Sequence, residues 1–167
     1  MSGRNISALM AVVALTAGCR GAAPSPMTDA ERTELSAEIR AAADSIVIPF
    51  NRLDGSQYLA QLTDVRTYVE NTTIYQGPDS VVSAVHAVLS NAATISLTWT
   101  GEPTVLVLGS DLGVVTGAFH ESMTDKTGAT QVLDGVWTAI YKRVDGSWKI
   151  VVAHESVAPV TTTSETD

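Results

Sequence analysis

The sequence predicts one α+β domain, in which about three N-terminal helices pack on a strongly bent antiparallel sheet. Before position 91, apolar residues recur mainly at the three- and four-residue steps of helices. After it they alternate with polar residues at the two-residue period of strands. The 167 residues leave room for one modest core once a leader and both tails are removed.

The first helix is predicted to begin at Thr28. Thr28-Asp29-Ala30-Glu31 has the spacing of a capping box, in which a hydroxyl and a carboxylate satisfy amide groups at a helix start. One apolar stripe follows, formed by Leu35, Ile39, Ala42, Ile46 and Phe50. Pro49 is predicted to end or kink this helix near Val47.

Two shorter helices and a strand are predicted before the change of period. A helix is expected over about 56–62, and a third over 79–89, where Pro78 suits the first helical turn. Residues 65–75 are rich in valine, threonine and tyrosine, which favours a strand with a twist or break near Asn71.

Five further strands are predicted after Asn91, separated by glycine, proline and aspartate turns. They are expected over 95–99, 104–108, 113–123, 132–141 and 148–155. Helices should cover one face of the resulting sheet, because its alternating residues make the two faces unlike.

The last two strands are predicted to pair as a hairpin. Asp145-Gly146 is a favoured type I′ turn, which sets Val144 opposite Ser147. Regular alternation from the turn then places Trp137, Ala139, Tyr141, Ile150, Val152 and His154 on one apolar face, toward the helices. The other face is expected to carry Thr138, Lys142, Lys149 and Glu155.

The N-terminus has the layout of a signal peptide over residues 1–18. Arg4 precedes an apolar run, residues 6–14, that is too short to span a bilayer. We therefore expect an exported protein.

The segment Leu15-Thr16-Ala17-Gly18-Cys19 resembles the lipobox of bacterial lipoproteins, although Thr16 stands where leucine is commonest. The resemblance implies that Cys19 is lipidated and becomes the mature N-terminus, anchored in the cell envelope by a short tether over 19–27. An ordinary signal peptide with an incidental cysteine is the alternative. As the only cysteine, Cys19 cannot form an intrachain disulfide. The domain is expected over 28–159, with a disordered tail over 160–167.

Charge and motifs exclude several function classes. The net charge of −8, without a basic cluster, makes nucleic acid a poor partner. His86, His120 and His154 have no metal-ligand spacing, so no metal site is expected. The sequence contains no phosphate-binding loop, serine triad or dinucleotide fingerprint, so no cofactor is expected.

Residues 136–156 resemble the terminal hairpin of the nuclear transport factor 2-like superfamily, especially SnoaL-like domains and the association domain of calcium/calmodulin-dependent protein kinase. The matching features are a basic residue, Asp145-Gly146, Trp148 and a His-x-Ser end at His154. The resemblance covers about 27–159 and implies a cone with a pocket between helices and concave sheet, and a homodimer through the sheet. Isomerases, cyclases, dehydratases and pure binding modules share this fold, so the fold selects no activity.

The pocket is expected to be lined by Tyr58, Phe119, Trp137, Ala139, Tyr141, Val152 and His154. His154 would bind a ligand or move a proton there, or else act as a structural histidine. From the residues alone, either His120 or Glu121 points inward. Comparison with the association domain places Phe119 and Glu121 inward, which makes Glu121 the pocket carboxylate.

Three functions remain open from the sequence. The first is a lipid-anchored module that binds a small, largely apolar molecule. The second is an isomerase-like or SnoaL-like enzyme with Glu121 or Asp64 as base, assisted by His154 or a tyrosine. The third is a protein association module without ligand. An open cavity with an inward carboxylate would favour the second, and a cone filled by its own side chains the third.

Overall fold

Three helices and seven strands make up the fold in a computed structural model that describes residues 26–62, 64 and 66–158. The elements are α1 (Asp29–Asn51), α2 (Gly55–Gln61), β1 (Thr67–Glu70), β2 (Thr73–Gln76), α3 (Pro78–Asn91), β3 (Ala92–Trp99), β4 (Thr104–Val107), β5 (Leu112–Asp125), β6 (Thr130–Val144) and β7 (Ser147–Val157). The predicted α+β class, with helices packed on a curled sheet, is confirmed.

The predicted signal peptide, Cys19, most of the tether and the tail over 160–167 lie outside the described residues. Within the part of the chain that the structure describes, no helix is both long enough and apolar enough to cross a membrane.

The sheet is mixed rather than wholly antiparallel. Its order is β2-β1-β7-β6-β5-β3, with β4 also paired to β5. β1 runs parallel to β7, from Thr67 opposite Val152 to Glu70 opposite Glu155. β1 and β2 form a small hairpin whose turn contains Asn71 at φ 51°, so the predicted break in this strand is confirmed.

α1 begins as predicted but ends later. The Thr28 amide donates to Glu31 Oε2 (2.8 Å), and the Glu31 amide donates to Thr28 Oγ1 (3.2 Å). The helix continues through Pro49 to Asn51, so it does not end near Val47. Pro49 is buried, and packing in the core compensates for the backbone hydrogen bond that proline cannot donate.

The last turn of α1 is fixed to strand β3 by one side chain. Asn51 Nδ2 donates to the Leu97 carbonyl (2.9 Å), and the Leu97 amide donates to Asn51 Oδ1 (2.7 Å). Both polar groups of the Asn51 amide thus replace water with backbone partners. This explains how the helix holds its end against the sheet beyond Pro49.

The solid part of the core lies beneath the turn of the terminal hairpin. Ile39 of α1 is buried in one hydrophobic cluster with Val115, Tyr141 and Ile150 of the sheet. Trp148 Nε1 donates to Glu38 Oε2 (3.0 Å), and Arg143 forms an ion pair with the same carboxylate. These contacts hold the hairpin turn against α1.

The terminal hairpin keeps its predicted register only near the turn. Val144 lies opposite Ser147 and Tyr141 opposite Ile150, as predicted, but Ile140 lies opposite Val152. One extra residue is therefore accommodated in β7 as a β-bulge, and the Val151 carbonyl accepts a hydrogen bond from the Arg66 amide (2.8 Å).

Beyond this bulge the two faces of β7 are exchanged. Ala139 lies opposite Ala153 rather than Val152, and Trp137 lies opposite Glu155 rather than His154. The prediction was wrong here because a shift of one residue turns every later side chain to the other face.

Candidate functional site

An open cavity of about 820 Å³ lies between the helices and the concave face of the sheet. Its apolar walls include Ile46, Phe50, Val81, Val85, Leu97 and Met123. A cone filled by its own side chains was the condition that favoured a module without ligand. The structure does not meet that condition.

Three of the predicted pocket residues line this cavity, namely Tyr58, Phe119 and Trp137. The Tyr58 ring lies 4.9 Å from the ring of Phe50, and the Trp137 ring lies 5.8 Å from that of Trp99 (centroid distances). Aromatic side chains from α1, α2, β3 and β6 therefore contribute to the wall.

Phe119 is placed by a glycine on the neighbouring strand. A Cβ atom at Gly135 would lie 2.5 Å from Phe119 Cζ and 2.8 Å from the Ser156 carbonyl oxygen. Only glycine lets the ring lie this close to the sheet, because such distances are shorter than any ordinary carbon contact.

Two other predicted pocket residues, Ala139 and Tyr141, belong to the core. Both are almost fully buried, and neither lines the cavity. They lie on the inner face as predicted, but α1 packs over this end of the hairpin and fills the space. The Tyr141 hydroxyl is buried without a hydrogen-bond partner among the described residues.

Val152 and His154 do not line the cavity, and their predicted place there was wrong. The bulge turns both away from the inner face, and His154 is exposed. Asp64 lies in the segment between α2 and β1 and does not line the cavity either.

The choice between His120 and Glu121 is settled by β5. This strand pairs with β6 without a bulge, so its side chains alternate regularly, and Glu121 points into the cavity beside Phe119. Glu121 is 8% exposed. His120 points outward, where its Nδ1 lies 2.9 Å from Asp134 Oδ1.

The prediction from sequence missed two further carboxylates, Glu70 and Glu155, which lie side by side on β1 and β7. The Tyr68 hydroxyl donates to Glu155 Oε2 (2.8 Å), and the Tyr75 hydroxyl donates to Glu70 Oε2 (3.3 Å). We call Glu70, Glu121, Glu155, Tyr68 and Tyr75 the acidic end of the cavity. Only the bulge brings Glu155 here, and no local pattern in the sequence indicates it.

Two carboxyl groups of the acidic end, those of Glu121 and Glu155, have a raised pKa and so hold protons more tightly than usual. Burial, followed by the charges of Glu155 and Glu70, raises the pKa of Glu121 from 4.5 to about 7. Burial also raises the pKa of Glu155, although the hydrogen bond from Tyr68 opposes this shift. Glu121 therefore exists in both protonation states near neutral pH.

The phenols of Tyr58 and Tyr68 stay protonated. Burial raises the pKa of both, and the Glu155 carboxylate adds to the effect. Each remains a hydrogen-bond donor at neutral pH.

The Glu121 carboxyl is available to a ligand. It accepts no hydrogen bond from any described residue, whereas Glu155 and Glu70 each accept one from a tyrosine. A carboxylate with a pKa near neutrality, facing an apolar cavity, can accept a proton from a bound molecule and return it.

The described side chains around the cavity form no cluster of the kind that holds a metal ion. Among residues 26–62, 64 and 66–158, no group of three histidine, cysteine, aspartate or glutamate side chains is arranged to bind one. No lysine, arginine or histidine lines the cavity.

Solved structures with the same fold cover most of the chain. A nuclear transport factor 2-like superfamily protein from Salmonella enterica is 16% identical (TM-score 0.68), over 81% of this chain and 99% of that one. A ketosteroid isomerase-like protein from Erwinia carotovora is 21% identical (TM-score 0.65), over 76% and 98%. Hexachlorocyclohexane dehydrochlorinase LinA-type3 from Novosphingobium barchaimii is 16% identical (TM-score 0.65), over 81% and 96%. These likenesses show a nuclear transport factor 2-like fold.

No curated protein matches the chain in sequence. The model of the SnoaL-like domain family, however, matches residues 39–161, which include the second half of α1, both shorter helices, the curled sheet and every residue of the acidic end. The chain therefore belongs to the SnoaL-like domain family.

Proposed function

We propose that the protein binds a small, largely apolar molecule in the cavity. The observation that carries this proposal is the open volume of about 820 Å³, with apolar walls and a few polar groups gathered at one end. Small-molecule sites commonly have this composition and volumes of roughly 300–1,000 Å³. The acidic end would fix the orientation of the ligand, because a polar group of the ligand finds carboxyl and hydroxyl partners there.

A second function, proton transfer on the bound molecule, is favoured by Glu121. Its carboxyl is buried, accepts no hydrogen bond from a described residue, and has a pKa of about 7. A base works best when its pKa lies near the working pH. Tyr58 would supply a neutral donor for an oxygen that gains negative charge, whereas the Tyr68 hydroxyl already donates to Glu155. The names of two similar structures, an isomerase-like protein and a dehydrochlorinase, are compatible with this chemistry.

Native mass spectrometry of the protein, purified from its host envelope, would test the first function. We expect a small molecule to copurify with the wild-type protein. It should be absent from the Phe119→Trp variant, because the larger side chain fills the cavity. An empty cavity, together with no binding in a broad metabolite screen, would contradict the proposal.

Hydrogen exchange into the identified molecule in deuterated water would test the second function. Wild type should catalyse exchange, and Glu121→Gln should slow it by about a hundredfold or more, which is the usual contribution of a positioned base. Glu34→Gln is the matched control, since Glu34 is exposed on α1. Binding without exchange in wild type would leave the protein a binding module.

The proposed function includes a place in the cell. The signal-peptide layout and the lipobox-like segment before Cys19 support an anchored domain outside the cytoplasm, held near the membrane by a short tether. Mass spectrometry of host membranes should find diacylglycerol on Cys19 of the mature chain. An unmodified mature chain would refute the anchor.

We also propose a homodimer through the outer face of the sheet. Val132 and Val136 are about half exposed on this face, at 51% and 47%. Light scattering coupled to size-exclusion chromatography should give twice the mass of one chain for wild type. The Val136→Lys variant should have the mass of a single chain.

A further inference from the structure

We propose that the ligand carries a positive charge, as an amine or quaternary ammonium group on an apolar body, and that this group lies at the acidic end. The inference rests on the proposed binding function and names the chemical class of the ligand.

The first observation is the one-sided charge of the cavity. Glu70, Glu121 and Glu155 reach it from β1, β5 and β7, and none of its lining residues is basic. None of these three carboxylates forms an ion pair with a described residue, since the ion pairs among those residues involve other side chains. A ligand carboxylate or phosphate would be repelled by these three carboxylates, whereas a cation would be attracted to them.

The second observation is the state of Glu121. It is more than nine-tenths buried, it lines the cavity, and it accepts no hydrogen bond from any described residue. A buried carboxylate without a partner is costly, and an ammonium group supplies both the missing charge and the missing donors. Glu121 is therefore the group whose requirements the ligand would meet most directly.

The third observation concerns the walls. The rings of Trp99 and Trp137 lie 5.8 Å apart, and those of Tyr68 and Tyr75 lie 6.1 Å apart beside the carboxylates. The faces of such rings attract cations, and groups of them recognise ammonium ligands in general. The aromatic walls also accept the apolar body that the volume of the cavity requires.

An inorganic cation fits the site less well. No three acidic or histidine side chains of the described residues are placed to share a metal ion. The three carboxylates face a common space without converging on one point, which suits an organic cation with an extended body. The net charge of −8 would also favour the approach of cations from solution.

Binding of a cation should release a proton. The groups that face Glu121 across the cavity are Glu70, Glu155, Tyr58, Tyr68 and Tyr75, none of which is positive. A cation favours the ionised carboxyl and so lowers the pKa of Glu121 from its raised value of about 7. Affinity should therefore rise as pH increases from about 5 to about 8 for an amine that stays protonated throughout.

Isothermal titration calorimetry with three probes of one shape would test the inference: naphthylmethylamine, naphthylmethanol and naphthoate. At about pH 8 we expect the amine to bind at least about tenfold more tightly than the alcohol, and naphthoate more weakly than the alcohol. The amine should bind with proton release, seen as a heat that changes with the ionisation enthalpy of the buffer.

Two variants complete the test. Glu121→Gln and Glu155→Gln, checked for folding by circular dichroism, should each weaken the amine by about tenfold and leave the alcohol within about twofold. Glu34→Gln removes the same charge from an exposed site and should change neither probe.

The outcomes distinguish a failure of the cation preference from a failure of the binding function. If the alcohol or naphthoate binds as tightly as the amine, the inference is wrong while the binding function stands. If none of the three probes binds up to its solubility limit, the cavity does not accept small aromatic molecules. Both the preference for a cation and the proposed binding function are then wrong. If Glu34→Gln weakens the amine as much as Glu121→Gln does, the preference arises from overall charge and the assigned site is wrong.

Discussion

The two halves of the β6–β7 hairpin have different surroundings, although they form one continuous pair of strands. Near the turn, the inner side chains of Tyr141, Trp148 and Ile150 are buried in the solid core beneath α1. Beyond the bulge, the inner side chains of Glu155 and Val157 face the open cavity. One extra residue in β7 marks the boundary between them.

The difference shows how a small domain keeps a cavity without losing its core. The half near the turn buries enough apolar surface to hold the hairpin, because close packing there gains dispersion contacts as well as removing surface from water. The far half can then carry a carboxylate that would be costly in the core.

The largest expected effect comes from shortening one side chain in each half. Ile150→Ala leaves a void in close-packed surroundings and should lower the free energy of unfolding by about 3 kcal/mol. Val157→Ala should lower it by only about 1 kcal/mol, because its side chain borders space that is already open. Urea denaturation followed by tryptophan fluorescence would measure both.

Ligand affinity should show the opposite order. Val157→Ala changes the wall and should alter affinity for an apolar probe, whereas Ile150→Ala should leave affinity unchanged in the folded fraction. Equal destabilisation by the two variants would mean that the halves are not distinct.

The next effect concerns Glu121 and pH. The pKa of Glu121 is raised in the folded protein to about 7, so the folded state binds a proton more tightly than the unfolded state, whose pKa is near 4.5. Its contribution to stability is fully present below about pH 4.5 and is lost as pH rises through about 7. Glu121→Gln removes this loss and should stabilise the protein by about 2 kcal/mol at pH 8, allowing for partial access of water to the carboxyl.

Thermal unfolding of both proteins at a series of pH values would measure this effect. Glu155 should leave a residual slope in the variant, since its pKa is raised as well. Glu34→Gln should run parallel to wild type. A Glu121→Gln variant that loses stability at pH 8 would show that the charged form is stabilised by something that the structure does not display.

The smallest effect is expected for His154→Ala. His154 is exposed on the outer face of β7 beyond the bulge, so its loss should change stability by less than about 0.5 kcal/mol and leave ligand-induced thermal shifts unchanged. A clear loss of binding would place the side chain in the cavity and contradict the register given above.

The elements that local sequence determines were predicted well. The capping box at Thr28, the Asp145-Gly146 turn and the helical stripe of α1 depend on residues close in sequence, and each is present in the structure. Glu121 was placed inward by comparison with a related fold, and the unbroken β5–β6 register agrees with that placement.

The features that were missed depend on distant partners. The Val151 carbonyl in the bulge accepts a hydrogen bond from the Arg66 amide. The parallel pairing of β1 with β7 joins segments about eighty residues apart. Periodicity along β7 alone cannot reveal an extra residue of this kind. This is why His154 was assigned to the cavity and Glu155 to the outside, when the reverse is true.

The two hydrogen bonds between the Asn51 side chain and the Leu97 backbone also protect an edge of the sheet. β3 is the last strand of the sheet order, so the Leu97 amide and carbonyl that do not face β5 would otherwise be open to a strand from another molecule. Asn51 occupies both groups at once. A second chain cannot extend the sheet through Leu97 without displacing the end of α1. The Asn51 side chain therefore protects this edge strand against aggregation by strand pairing.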